Sequence, residues 1–199
     1  AGTYALSSGT TLRTTANRTF DSGINFTGSG STLEFGGGIQ TFNAAHTFTL
    51  AATGPALSLT SGTLTAANPL NILGPFTWTG GTITGSGALN TAGVTTFGAG
   101  DLTGKTWNNS GTVNIGSTGN INLNASDFDN LTGAILNLNG TSSFNKIAGT
   151  ANVSNSGTLN KTGAGSLPIS QGTAISAFNN NSGGVVNVTA GELVLQSAG

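Results

Sequence analysis

The chain has no cysteine and no methionine, one histidine and only four prolines in 199 residues. Without cysteine, disulfides and thiolate metal sites are excluded. Charged residues make up 6% of the chain, against about a quarter in ordinary globular domains, so solvated helical faces have little to be built from. The net charge is −1 and the five cations (Arg13, Arg18, Lys105, Lys146, Lys161) are scattered, which gives a nucleic acid no basic patch to follow. No apolar run approaches the roughly 20 residues of a membrane-spanning helix, so no membrane insertion is expected. The opening Ala-Gly-Thr-Tyr lacks the signature of a signal peptide. An export signal is therefore expected to have been cleaved or to lie outside this segment of a longer chain or filament. His46 stands alone between Ala45 and Thr47; it has too few partners for a nucleophilic triad and is expected at the surface. No cofactor is expected.

What remains is rich in strand and turn formers. Glycine and threonine each occur 33 times and asparagine 23 times, so β-propensity and tight turns dominate while helix-forming windows are absent. One phrase is written four times: Trp107-Asn-Asn-Ser-Gly111-Thr-Val113-Asn-Ile115, Phe128-Asp-Asn-Leu-Thr-Gly133-Ala-Ile135-Leu-Asn-Leu138, Val153-Ser-Asn-Ser-Gly157-Thr-Leu159-Asn160 and Phe178-Asn-Asn-Asn-Ser-Gly183-Gly-Val185-Val-Asn-Val188. Upstream, apolar-polar-apolar triplets keep the same rhythm: Ile24-Asn-Phe26, Leu33-Glu-Phe35, Phe48-Thr-Leu50, Leu57-Ser-Leu59, Leu70-Asn-Ile72 and Phe76-Thr-Trp78. Each triplet reads as a short strand with one buried face. Recurrence of whole phrases in a fixed internal order predicts stacked coils rather than an antiparallel sandwich. The expectation is an all-β, single-stranded parallel β-helix (β-solenoid) of about nine coils, with three short strands per coil. It is one solenoid over 1–199: residues 1–23 an irregular or first coil, 24–100 Thr-rich coils, 101–199 Asn-rich coils. Pro168, between Leu167 and Ile169, lacks the amide a ladder needs and is expected at a bulge or strand end.

On these residues the chain resembles the right-handed β-helix repeats of large secreted bacterial proteins, the passenger regions of autotransporters and filamentous-haemagglutinin-like adhesins. Trp107 to Ile115 and Phe178 to Val188 carry the resemblance best, with Thr77-Trp78-Thr-Gly-Gly81-Thr-Ile83-Thr-Gly-Ser-Gly87 matching a second common phrase. The resemblance implies an extracellular or bacterial cell-surface segment. Such a segment would be a stalk, adhesin passenger or filament subunit that self-associates end to end or along its edges, with a cell-surface or polysaccharide ligand.

Candidate chemistry is sparse. Asp127 and Asp129 flank Phe128, so a strand would point both carboxylates to one side, the arrangement of a glycoside hydrolase or lyase. Against that, the pair occupies the slot that holds asparagine in the sister repeats, and a structural role is preferred; no catalytic residue is assigned. Asp101 is a weak calcium candidate. Asn109, Asn155 and Asn181, beside Gly111, Gly133, Gly157 and Gly183, are expected to stack as an amide ladder at one corner. Trp78 and Trp107 occupy apolar strand positions and are expected in the core. The Thr-x-Thr pairs Thr47/Thr49, Thr63/Thr65, Thr77/Thr79 and Thr82/Thr84 raise an ice-binding alternative, although only Thr63/Thr65 and Thr82/Thr84 have the spacing to stack.

Overall fold

Alternation of apolar and polar residues, broken every few positions by Gly, Asn or Ser, gives short strands that turn and return one layer further on. A computed structural model of the chain describes residues 2–49, 54–116, 119–169 and 175–195, with Pro168 described by its backbone alone. No helix occurs among these residues, and every strand pairing between them is parallel. The result is a β-solenoid with three strand positions per coil.

Face A is built from β1 (Thr3–Ala5), β4 (Asn25–Thr27), β6 (His46–Phe48), β8 (Leu70–Ile72), β11 (Leu89–Thr91), β14 (Thr106–Asn109), β17 (Asp127–Asn130), β20 (Asn152–Asn155) and β23 (Ala177–Asn180). Face B holds β2 (Thr11–Thr14), the first halves of β5 (Thr32–Phe42) and β7 (Ala56–Ala66), then β9 (Phe76–Trp78), β12 (Val94–Phe97), β15 (Thr112–Ile115), β18 (Ile135–Leu138), β21 (Thr158–Lys161) and β24 (Val185–Val188). Face C holds β3 (Arg18–Phe20), the second halves of β5 and β7, then β10 (Thr82–Thr84), β13 (Gly100–Thr103), β16 (Ile121–Asn124), β19 (Phe144–Ala148), β22 (Ser166–Ile169) and β25 (Glu192–Leu195). Nine strand positions per face among the described residues make about eight turns, which at ~4.8 Å per step give a body ~38 Å long. Of the triplet Phe48-Thr-Leu50, the strand β6 includes only Phe48, and Leu50 lies outside the described residues.

Faces B and C, apart from β22 and β25, which pair with each other, belong to one 14-stranded sheet because β5 and β7 run continuously round the corner between them. Sequence spacing suggests separate triplets there; the two strands instead continue through residues 36–38 and 60–62, with the register of their pairing shifting on either side of Gly36. At this corner Gly62 (φ 80°) and Gly81 (φ 83°) adopt left-handed backbone, and a Cβ on either would collide with the backbone of the coil before it. Glycine is required there on both counts.

Inward ranks are formed by register. Leu12, Leu33, Leu57 and Phe76 stack in one column of face B and continue through Thr95, Val113, Leu136, Leu159 and Val186. On face A the column Leu70, Leu89, Trp107, Phe128, Val153 and Phe178 does the same. These columns fuse into a single apolar core, with each fully buried Leu, Ile or Phe contributing roughly 1.5–3 kcal/mol. An aromatic run threads it: ring centroids lie 5.5 Å apart for Trp78–Trp107, 5.0 Å for Trp107–Phe128 and 5.1 Å for Phe128–Phe144.

Pro168 departs from expectation. It lies within β22, in unbroken register with Val194 of β25, and is neither at a bulge nor at a strand end. The accommodation comes from the other side: among the described residues β22 has no ladder partner besides β25, while β19 bulges where it pairs with β16. A strand with one unpaired side tolerates an imide nitrogen.

Candidate functional site

Polar side chains on this solenoid fall into inward and outward columns, and every candidate residue can be placed by its column. The inward one is the most developed. It starts at Trp107, whose indole N–H donates to Thr91 Oγ1 at 2.9 Å, and at Asn109, whose Nδ2 donates to Asn130 Oδ1 at 2.9 Å. Asn130 Nδ2 then donates to Asn155 Oδ1 at 2.8 Å, and Asn155 Nδ2 to Asn180 Oδ1 at 2.7 Å. Asn109, Asn130 and Asn155 are buried. Each also closes the neighbouring turn, with second donations to the carbonyls of Ile135, Thr158 and Val185. The column therefore satisfies corner carbonyls that would otherwise be buried without partners.

Asn109 and Asn155 thus lie in one ladder, but Asn181 lies outside it: its Nδ2 donates to Ser156 Oγ at 3.0 Å, while register places Asn180 opposite Asn155. Asn130 belongs to the ladder and was missed. Loop length is the reason. Two residues, Ser110-Gly111 and Ser156-Gly157, join the strands in two of the repeats; four residues, 131–134 and 181–184, join them in the other two. Counting back from glycine misaligns the longer loops. Counting two residues forward from the large apolar residue (Trp107, Phe128, Val153, Phe178) finds all four asparagines. The glycines divide the same way. Gly111 and Gly157 sit where a Cβ would collide with the preceding coil's backbone. Gly133 and Gly183 have open space around them and supply left-handed turns (φ 81° and 84°) in the longer loops.

Outward columns carry the acidic candidates. Asp127 and Asp129 do share the outer side of face A, with Phe128 buried between them. Asp127 Oδ1 accepts hydrogen bonds from the backbone N–H of Asn152 at 2.8 Å and from its side chain at 3.0 Å. Asp129 stands in register with Asn108 and Ser154, continuing the column in which Asn108 donates to Asn90, Asn90 to Asn71 and Asn71 to Thr47. Burial pushes the Asp129 carboxyl up, the Asp127 charge adds to this, and a hydrogen bond from Ser154 opposes it. Both carboxylates therefore act as rungs of the polar ladder. Asp101 is exposed, and its Oδ1 accepts from Asn122 Nδ2 at 2.7 Å. Among the described residues no group of three or more His, Cys, Asp and Glu gathers as a metal would require.

Three inward polar groups went unforeseen. His46 is half-buried rather than a surface residue: it stands in register with Leu70 at the head of an apolar column, its ring 4.6 Å from Phe48, 5.0 Å from Phe42 and 5.7 Å from Phe26. Burial lowers its pKa. Lys105 is 2% exposed, and its Nζ donates to the carbonyls of Ala66, at 2.8 Å, and Gly87, in the two preceding coils. Desolvation lowers its pKa to about 8. Lys161 is fully buried beneath Leu138, with Nζ donating to the carbonyls of Gly163 and Ala190. Both lysines replace a missing counter-charge with carbonyl dipoles. Trp78 and Trp107 are both fully buried, and Trp78 Nε1, unlike that of Trp107, has no partner. The ion pair Arg13–Glu34, 3.2 Å apart, is at the solvent-exposed edge of face B.

No helix among the described residues is long and apolar enough to cross a membrane. The chain matches no family model, no curated protein and no solved structure.

Proposed function

We propose that this chain is a non-catalytic structural segment of an extracellular, adhesin-like surface protein, serving as stalk or filament building block. The observation that carries this reading is the succession of columns along the solenoid. On three faces, apolar ranks and amide ladders run from coil to coil, and the candidate acids are absorbed as rungs. Such a body has length and lateral stiffness as its principal physical properties, because each coil is fixed only by its two neighbours. The resemblance of its repeats to those of secreted bacterial β-helices supports the extracellular setting.

End-on assembly follows from the same columns. In the coil β23–β25 the inward side chains are partly bare: Val188 is 49% and Leu195 51% exposed. At the opposite end a cavity of about 220 Å³ opens among Tyr4, Leu12, Thr14, Arg18, Phe20 and Phe26. The order of faces in β1–β2–β3 repeats in β23–β24–β25, so a second copy stacked in phase continues all three ladders. A parallel edge without a neighbour recruits further strands. Sedimentation velocity over a hundredfold concentration range is expected to show reversible growth into rods; a clean monomer throughout would refute end-on assembly.

A further inference from the structure

We propose that the outer surface of face C in the Thr-rich half binds ice. Register assembles there a column of five threonines, one per coil: Thr19, Thr41, Thr65, Thr84 and Thr103. Beside it, two residues back along each strand, runs a second column of Ile39, Thr63 and Thr82 that passes into Asp101. The pairs Thr63/Thr65 and Thr82/Thr84 are thus the centre of a larger array.

The hydroxyls distinguish this surface from the other polar columns. Outward asparagines of face B, Asn114, Asn137, Asn160 and Asn187, donate to one another in sequence, and Asn122 and Asn145 close the lower part of face C onto Asp101. Those columns spend their donors internally. The seven threonines of the array make no side-chain hydrogen bond to any described residue; Thr19 is exposed and the other six are partly exposed, on a ladder without a register shift from Thr63 to Thr103. Each presents a free hydroxyl beside a methyl group, with χ1 restrained by β-branching.

The geometry favours a crystalline water lattice over a discrete ligand. Coil spacing sets the rungs ~4.8 Å apart, and two residues along a strand separate the columns by ~6.7 Å. In tetrahedrally bonded water, two O–H···O links of ~2.75 Å place second-neighbour oxygens ~4.5 Å apart, and the layer repeat follows as ~7.3 Å. Both distances agree with the array to within about a tenth, over five rungs in one direction. A solvated sugar or peptide would be read by convergent donors in a cleft; here the donors stand in register on one sheet face and repeat.

The test is thermal hysteresis and crystal shaping by nanolitre osmometry on the purified chain. A parallel assay measures retention on crystalline chitin. Wild type is expected to facet ice and hold a freezing gap. Thr84→Tyr, at the centre of the array, should lose most of that gap, while Thr96→Tyr on face B should keep it, both variants being verified by circular dichroism. If Thr84→Tyr is misfolded, Thr84→Ser, which removes only the methyl, should still reduce the gap severalfold. Absence of hysteresis and shaping in wild type overturns the proposal. Equal behaviour of the folded Thr84 and Thr96 variants also overturns it, as does chitin retention without ice activity, which would give the surface to a polysaccharide.

Discussion

Replacing Asn130 by aspartate changes one atom group and nothing in shape, yet it should be among the most damaging substitutions available. Asn130 Nδ2 donates to Asn155 Oδ1 and to the Thr158 carbonyl, at 2.8 and 3.2 Å, in a fully enclosed column. An ionised carboxylate donates nothing and faces two acceptors. Two orphaned acceptors cost ~1–3 kcal/mol each. Burial raises the new carboxyl by several pKa units, so protonation limits the charge penalty: from an unfolded value of ~3.9 to pH 7 it cannot exceed ~4 kcal/mol. The sign follows from linkage. The folded form binds a proton more tightly than the unfolded form, so the variant loses stability as pH rises from ~4 towards its raised pKa and regains it on acidification. Urea melts by circular dichroism at pH 4 and pH 7, referenced to wild type at each pH, should therefore differ by about 3–4 kcal/mol for Asn130→Asp. Asn187→Asp, on the exposed outer ladder, should move by less than ~1 kcal/mol. If the Asn130 variant shows no pH-dependent deficit, the inner ladder is not an enclosed structural element.

Three further outcomes are expected. Gly100→Ala would drive a Cβ into the indole of Trp78 and cost ~1–3 kcal/mol. Adding Trp78→Phe, which also removes an unpartnered N–H, should recover much of the loss in a double-mutant cycle, and strict additivity would argue against the contact. The His46 pKa is lowered by burial, so the unfolded chain takes up its proton first and stability should fall as pH drops below ~6.5. His46→Leu, matching Leu70 beneath it, should flatten that part of a Tm-versus-pH profile. Asp129 is shifted up, so its ionisation opposes folding as pH rises above its ordinary range. Asp129→Asn should raise Tm at pH 7 and lose that advantage below pH ~4; a lower Tm at pH 7 would mean that the bond from Ser154 outweighs the burial.

How much of this was legible beforehand follows from what the repeat encodes. Triplets such as Phe76-Thr-Trp78 and Leu70-Asn-Ile72 state their burial directly, because alternation has one physical meaning in a strand, and recurrence in fixed order fixes stacking. Alternation alone cannot state loop length. The two extra residues in Leu131–Ala134 and Asn181–Gly184 shifted the apparent ladder from Asn180 to Asn181 and hid Asn130 behind the acids of Asp127-Phe-Asp129. Residues whose type contradicts their column were equally hidden. His46, Lys105 and Lys161 look like surface residues, yet the lysines are enclosed and His46 is half-buried, because the column or turn each occupies offers carbonyl dipoles or aromatic rings in place of water.

The same logic separates the two halves of the solenoid. Where the outward columns are asparagine, each side chain both donates and accepts, so the column closes on itself and its donors bind the coils together. Where threonine stands on threonine, as from Thr19 to Thr103 on face C, two hydroxyls are too short to span ~4.8 Å between rungs, so they do not bond to one another and their hydrogen-bonding capacity faces solvent. The shift from Thr-rich to Asn-rich sequence near residue 100 is therefore more than a change in composition. It divides the outer surface of face C into a part whose threonine hydroxyls face solvent and a part whose amides bind the coils together, while the amide ladder of face A, from Thr47 through Asn71 and Asn90 to Asn108, runs across the boundary.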